Sequence, residues 1–283
     1  MQLSELTSSM VMSVGPDDSL DTAISQMEEH DIHHLPVVEH DRVVGMVSDR
    51  DLLLSVGFQL SCDREVDRHT RVVSGPRLVR DVMSAPVVTI ESTASIEEAA
   101  SLLVGYTIGA VPVVRGARLI GILTRTDLLS RACMLARGDV QFSRLKESVA
   151  QHMRARVAAV HVSDSIQTVV TKMREKHLRH LPVVGDEIVV GIVSDRDIRR
   201  ALGREHVEND PAQREDQVNV GAAAVGEIMS SDLVTVAPET TLTEVAWEFC
   251  RHRISALPVV SDKQLVGIIT DSDIVRVVSR QEA

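Results

Sequence analysis

The chain has 283 residues, 44% of them hydrophobic and 25% charged, with a formal net charge of −11. That length and balance predict a globular protein with room for two ordinary domains. The acidity argues against wrapping nucleic acid, which requires a basic face, and an aromatic content of 2% leaves no stacking platform for single strands. No apolar run approaches the ~18–20 residues needed to cross a bilayer. The start, Met1-Gln2-Leu3-Ser4-Glu5, has no basic-then-apolar signal character. A cytoplasmic protein without membrane insertion is expected. Cys62, Cys133 and Cys250 are scattered singles without metal or disulfide spacing, and are read as small apolar residues in a reducing compartment.

In chain order, the first pattern is an amphipathic helix with apolar Leu20, Ala23, Ile24 and Met27, followed by a strand ending in Leu35-Pro36-Val37-Val38. A polar turn at Asp41-Arg42 leads into Gly45-Met46-Val47-Ser48-Asp49-Arg50-Asp51, where a second helix begins. The same order returns three times. The helix stripes are Ile96/Ala99/Ala100/Leu103, Ile166/Val169/Val170/Met173 and Leu242/Val245/Ala246/Phe249. Every set falls at i, i+3, i+4, i+7. Ser95-x-x-Glu98 and Thr241-x-x-Glu244 read as capping boxes. The strand runs are Val111-Pro112-Val113-Val114, Leu181-Pro182-Val183-Val184 and Leu257-Pro258-Val259-Val260, with turns at Gly116, Gly185-Asp186 and Ser261-Asp262-Lys263. After them come Gly121 to Thr124-x-x-Asp127, Gly191 to Ser194-x-x-Asp197 and Gly267 to Thr270-x-x-Asp273. Each aspartate follows its proline by 15 residues. An apolar anchor opens each copy: Met83, Met153, Met229, and Met10 or Met12 in the first. A short apolar segment comes next, such as Val87-Val88-Thr89-Ile90 or Val234-Thr235-Val236.

Such repetition means that the repeat is the structural unit. Each β-α-β-β-α copy of about 50–60 residues is too small to bury its own sheet well, so the copies should pair. Pro36 to Pro182 and Pro112 to Pro258 are both 146 residues apart, which marks the duplication of a two-repeat module. The expected fold class is α+β, with repeats at 1–57, 76–135, 145–203 and 222–283, paired as 1–140 and 141–283. Linkers are expected near 55–77 and 201–224, the second polar from Arg204 to Gln217, with 136–146 joining the modules.

The four copies, by these residues and this spacing, resemble the CBS domain family arranged as two tandem pairs, or Bateman modules. The resemblance implies a non-catalytic, allosteric sensor or separate regulatory subunit with no catalytic domain of its own. It implies a regulatory adenine nucleotide (AMP, ADP or ATP) held between paired repeats, with no cofactor required. S-adenosylmethionine and NAD share the adenosine moiety and stay open as ligands, and so does a ligand-free interaction scaffold. The modules are expected to stack into a disk, within one chain or across a homodimer, and to act on a regulated protein that the residues do not identify.

By resemblance, Ser48/Asp51, Thr124/Asp127, Ser194/Asp197 and Thr270/Asp273 hold ribose and phosphate. A carboxylate accepts hydrogen bonds from both ribose hydroxyls, and a helix N-terminus offers free N–H groups to phosphate. From spacing alone, the same Ser/Thr-x-x-Asp reads first as a helix cap. His33, His34 and Arg50 in the first copy, and Arg179, His180 and Arg196 in the third, match positions where related nucleotide sensors contact phosphate. Their competing reading pairs Arg50 and Arg196 with the adjacent Asp49 and Asp195 and leaves the histidines as strand-edge residues. Copies two and four carry small residues there, Gly109-Ala110 and Ser255-Ala256, which would leave room for a ligand. No catalytic nucleophile motif, P-loop, dinucleotide fingerprint or metal-ligand spacing is present.

Overall fold

The computed structural model describes residues 3, 11–49, 51–52, 77–136, 144–186, 188–198, 200–201 and 222–279. Met10, Arg50, Cys62 and nearly all of the linkers at 55–77 and 201–224 lie outside the described residues. The chain divides into two compact units, one formed by Met1–Leu135 with Val275–Ala283, the other by Ala136–Ile274.

In the first unit, helix α1 (Leu20–Glu29) starts where the Ser19 hydroxyl accepts the Thr22 N–H at 3.1 Å. That bond satisfies one donor that a helix start leaves unpaired. Leu20, Ala23 and Met27 are buried and Ile24 is half-buried, so the apolar stripe faces inward as its spacing predicts. Strands β1 (His34–Glu39) and β2 (Arg42–Ser48) form an antiparallel hairpin. Its turn sits at His40-Asp41, one residue before the expected place, because these two residues take the left-handed backbone (φ 48° and 61°) that a tight hairpin turn demands. Pairing runs Val37 to Gly45 and then Val38 to Val43, so Val44 bulges out of the ladder.

The second repeat has β3 (Ile90–Glu91), α2 (Ile96–Gly105), β4 (Ala110–Arg115), β5 (Arg118–Thr124) and α3 (Arg125–Ala136). They form a three-stranded sheet ordered β3-β4-β5. The box at Ser95 is complete: Glu98 N–H reaches the Ser95 hydroxyl at 3.1 Å, and the Glu98 carboxylate accepts the Ser95 N–H at 2.7 Å.

The second unit repeats this plan with β6 (Val160–His161), α4 (Ile166–Lys176), β7 (His180–Gly185) and β8 (Ile188–Ser194). Its other repeat has α5 (Leu242–His252), β9 (Ala256–Ser261), β10 (Gln264–Thr270) and α6 (Asp271–Ser279), a helix that runs on past Ile274. Ile166, Val169 and Met173 are buried on α4, and Leu242, Val245, Ala246 and Phe249 on α5. Burying each large apolar side chain contributes about 1.5–3 kcal/mol.

Within each unit an opening segment packs on the paired repeat. Val79, in the short helical turn at Val79–Asp81 that opens the second repeat, is buried in the first repeat's core, with Val82 and Met83 packed against it. Backbone bonds fix this packing, with Leu20 N–H on Arg77 C=O at 3.0 Å and Val79 N–H on Asp18 C=O at 2.9 Å. In the second unit it runs both ways. Val149 N–H donates to Thr240 C=O and Val225 N–H to Asp164 C=O, each at 2.8 Å. This explains why the expected first strands are short. The segment after Met83 pairs first with the other repeat, through Ser84 and Met46, and reaches its own β4 only at Ile90.

Candidate functional site: four capped helix starts

Each second hairpin strand ends at a Ser or Thr, and a helix starts at the next residue. In the first repeat the Asp51 Oδ2 accepts both the Ser48 N–H (2.9 Å) and the Ser48 hydroxyl (2.6 Å), while Asp51 N–H points back at Ser48 Oγ (3.3 Å). Thr124/Asp127 repeats this at 2.8, 2.7 and 3.3 Å, and Ser194/Asp197 at 2.7, 2.6 and 3.3 Å. Thr270 gives its N–H and hydroxyl to Asp273 Oδ2 at 3.0 and 2.6 Å. The first three are reciprocal caps, the arrangement read from spacing. All four take a single carboxylate oxygen, Oδ2. Asp51, Asp127 and Asp197 are half-buried, and Asp273 is 4% exposed.

In three of the repeats the opening segment of the paired repeat crosses the second hairpin strand. Ser84 bridges to Met46 on β2, Ser230 to Ile192 on β8, and Arg154 to Ile268 on β10. The methionine ahead of each lies over a strand glycine: Met83 on Gly45, Met229 on Gly191 and Met153 on Gly267. A Cβ on Gly45 or Gly191 would meet methionine sulfur at 2.5 Å, so the methionine would have to shift, and at Gly191 it would also meet the Ser230 carbonyl oxygen at 2.9 Å. In the first unit, Val87 and Thr89 of this segment also line a cavity of about 380 Å³ with Val43, Val44, Val114 and Ala117. Arg42, at the opposite end of β2 from Ser48, lines it as well.

The histidines before Leu-Pro meet the paired repeat. A Cβ on Gly109 would lie 2.9 Å from His34 Nε2, and His180 Nε2 is hydrogen-bonded to Ser255 Oγ at 3.0 Å. Gly109 and Ser255, two of the small residues in copies two and four, thus each lie against an imidazole of the paired repeat. His33 Nδ1 lies 3.5 Å from Asp49 Oδ2. Arg179 is exposed, Arg196 is half-buried on the first turn after Ser194, and Arg50 lies outside the described residues. Among the described residues, no three His, Cys, Asp or Glu side chains gather closely enough to hold a metal ion, and no helix is long and apolar enough to cross a membrane.

Burial pushes the His180 imidazole below its ordinary value of 6.5. Asp195, Asp271 and Asp197 oppose this and Arg179 adds to it. The folded state therefore favours neutral His180, whereas the unfolded chain takes up a proton as pH falls through the ordinary value. This contribution to stability is complete above about pH 6.5 and is lost on acidification. In melts across pH 5–7.5, His180→Gln is expected to flatten the acid-side fall in Tm. An unchanged profile would locate the acid sensitivity elsewhere.

Sequence reasoning did not find Arg154, nor the crossing of the methionines to the paired repeat. The available signal was the dipeptide at a fixed offset, Met83-Ser84, Met153-Arg154 and Met229-Ser230, in which only one copy is cationic.

Comparison with known proteins fits this architecture. The solved structure of protein MJ1225 from Methanocaldococcus jannaschii superposes with a TM-score of 0.78 at 24% identity, covering 98% of this chain and 99% of that one. By sequence, MJ1225 is 25% identical over 272 residues, 94% of each chain. A conserved protein from Pyrococcus horikoshii superposes with a TM-score of 0.65 at 20% identity, covering 98% of this chain and all of its own. The CBS domain model matches residues 3–57, 79–132, 148–204 and 225–280. With four copies that fill most of its length, the chain belongs to the CBS domain family.

Proposed function

We propose that this is a non-catalytic regulatory protein that binds an adenine nucleotide (AMP, ADP or ATP) in the clefts between paired repeats and signals through module packing. The observation that carries the reading is the division of labour at Asp51, Asp127 and Asp197. Each cap is satisfied by Oδ2, and the second carboxylate oxygen plays no part in it. That oxygen suits a ribose diol, and the adjoining helix N-terminus suits phosphate. Arg196 and Arg179 supply cations near Asp197, as Arg50 does in sequence beside Asp51, where His33 and His34 add imidazole nitrogens. CBS family membership supports the same ligand class. Signalling requires the nucleotide to bind one arrangement of the repeats more tightly than another, and a partner protein to read the difference.

The caps are complete without a ligand, which favours a second reading, an interaction scaffold. A thermal-shift panel on nucleotide-free protein separates the two, using AMP, ADP, ATP, S-adenosylmethionine, NAD and GTP. A ligand at a hundred times its Kd stabilises the fold by about 2.7 kcal/mol. Shifts with AMP, ADP or ATP but not GTP are expected. A shift confined to S-adenosylmethionine or NAD would replace the nucleotide by another adenosyl ligand, and no shift at all would favour the scaffold.

A further inference from the structure

The four capped aspartates are not equivalent. In two of the three crossings the residue that bridges across from the paired repeat is a serine, Ser84 or Ser230, and in the third it is Arg154. Asp273 Oδ2 is committed to Thr270, and its Oδ1 faces the Arg154 guanidinium at 3.9 Å. Asp273 is 4% exposed, while Asp51, Asp127 and Asp197 remain half-buried. Both oxygens of this one carboxylate thus face groups of the same unit, one the cap and one a cation. A ribose diol requires an accessible acceptor and would have to displace the guanidinium to reach it.

We infer that Arg154 closes the Asp273 cleft, so that the unit formed by Ala136–Ile274 takes its nucleotide at Asp197 alone. The inference rests on the nucleotide-binding reading above and adds to it a residue that sets how many sites the chain offers. Arg154 is 53% exposed on its side chain, so replacing it by the serine found at the two sister positions removes the cation and leaves the core intact.

The test is isothermal titration of the full-length, nucleotide-free chain with AMP and, separately, with ATP, counting sites in wild type, Arg154→Ser, Asp273→Ala and the double variant. Arg154→Ser is expected to bind one more equivalent than wild type. Asp273→Ala alone should keep the wild-type count, and the double variant should return to it. Circular dichroism checks that each variant is folded, and Arg154→Gln serves as the alternative should the serine variant fail to fold. An Arg154→Ser count equal to wild type, or the loss of a site in Asp273→Ala, overturns the closure. If wild type binds neither nucleotide while Arg154→Ser binds one equivalent, the proposed function of the native chain falls and the closure stands. If both are silent, both fall.

Discussion

Gly191→Val is expected to destabilise the second unit by about 3 kcal/mol, the upper end of what overpacking a fitted interior costs. The Cβ alone would meet the Met229 sulfur at 2.5 Å and the Ser230 carbonyl oxygen at 2.9 Å. The methionine has room to re-orient, being unbranched and flexible, but the carbonyl does not. Ser230 is held to β8 by its N–H on Ile192 C=O at 2.9 Å and by Ile192 N–H on its own C=O at 3.1 Å. Relief of the clash therefore breaks this bridge to β8, and stability and ligand binding should fall together. At roughly 2–4 °C per kcal/mol, the melting transition should drop by about 6–12 °C. Gly105→Ala provides the contrast. It ends α2 with nothing within 4 Å of a new Cβ, so alanine should be neutral or stabilise by at most about 1 kcal/mol. A Gly191→Val melt within 2 °C of wild type would mean that the Met229-Ser230 segment does not cross the strand as described.

The difference between those two glycines shows what was legible in the sequence. Local order was: apolar residues at helical spacing lie buried on all four helices after the first strands, and the boxes at Ser95 and Thr241 close as written. Periodicity and capping act within one turn of chain, so they can be read from neighbours. The packing across repeats could not be. Nothing local to Val79 or Met83 says that they pack in the core of the preceding repeat, because that choice is made by the second repeat's opening turn finding a partner surface elsewhere in the unit. Likewise His180 reads as a strand-edge residue, yet it is closed in by Ser255, 75 residues away. Arg154 was invisible for the same reason, since its bearing on Asp273 exists only once β10 has been crossed. The Ser/Thr-x-x-Asp motif was legible as a cap. Its suitability for a diol depends on which oxygen the cap uses, a fact of geometry and not of spacing.

Asp197→Asn should separate those two roles, and it is expected to weaken adenine-nucleotide binding by about a hundredfold while shifting Tm only slightly. In the wild type, Oδ2 accepts the Ser194 N–H and hydroxyl at 2.7 and 2.6 Å. An asparagine can turn its carbonyl oxygen to the same donors and keep the box, so the stability cost should stay within the range of about 0.5–2 kcal/mol for losing a cap altogether. What it cannot keep is a second acceptor. The amide nitrogen that replaces the other oxygen is a donor, and it would face hydroxyls that need to donate. Hydrogen bonds to a charged group contribute about 1.5–3 kcal/mol each, so losing one or two of them corresponds to roughly tenfold to twenty-thousandfold in Kd. Titration of the nucleotide-free variant, together with a melt, reads both quantities. Asp197→Ala should lose binding and cap together, with the larger fall in Tm. If Asp197→Asn binds as wild type does, the ribose does not sit on this carboxylate and Asp197 is a cap alone. If instead it unfolds as readily as Asp197→Ala, the charge itself holds the helix start, through the dipole of the helix that begins at Asp195.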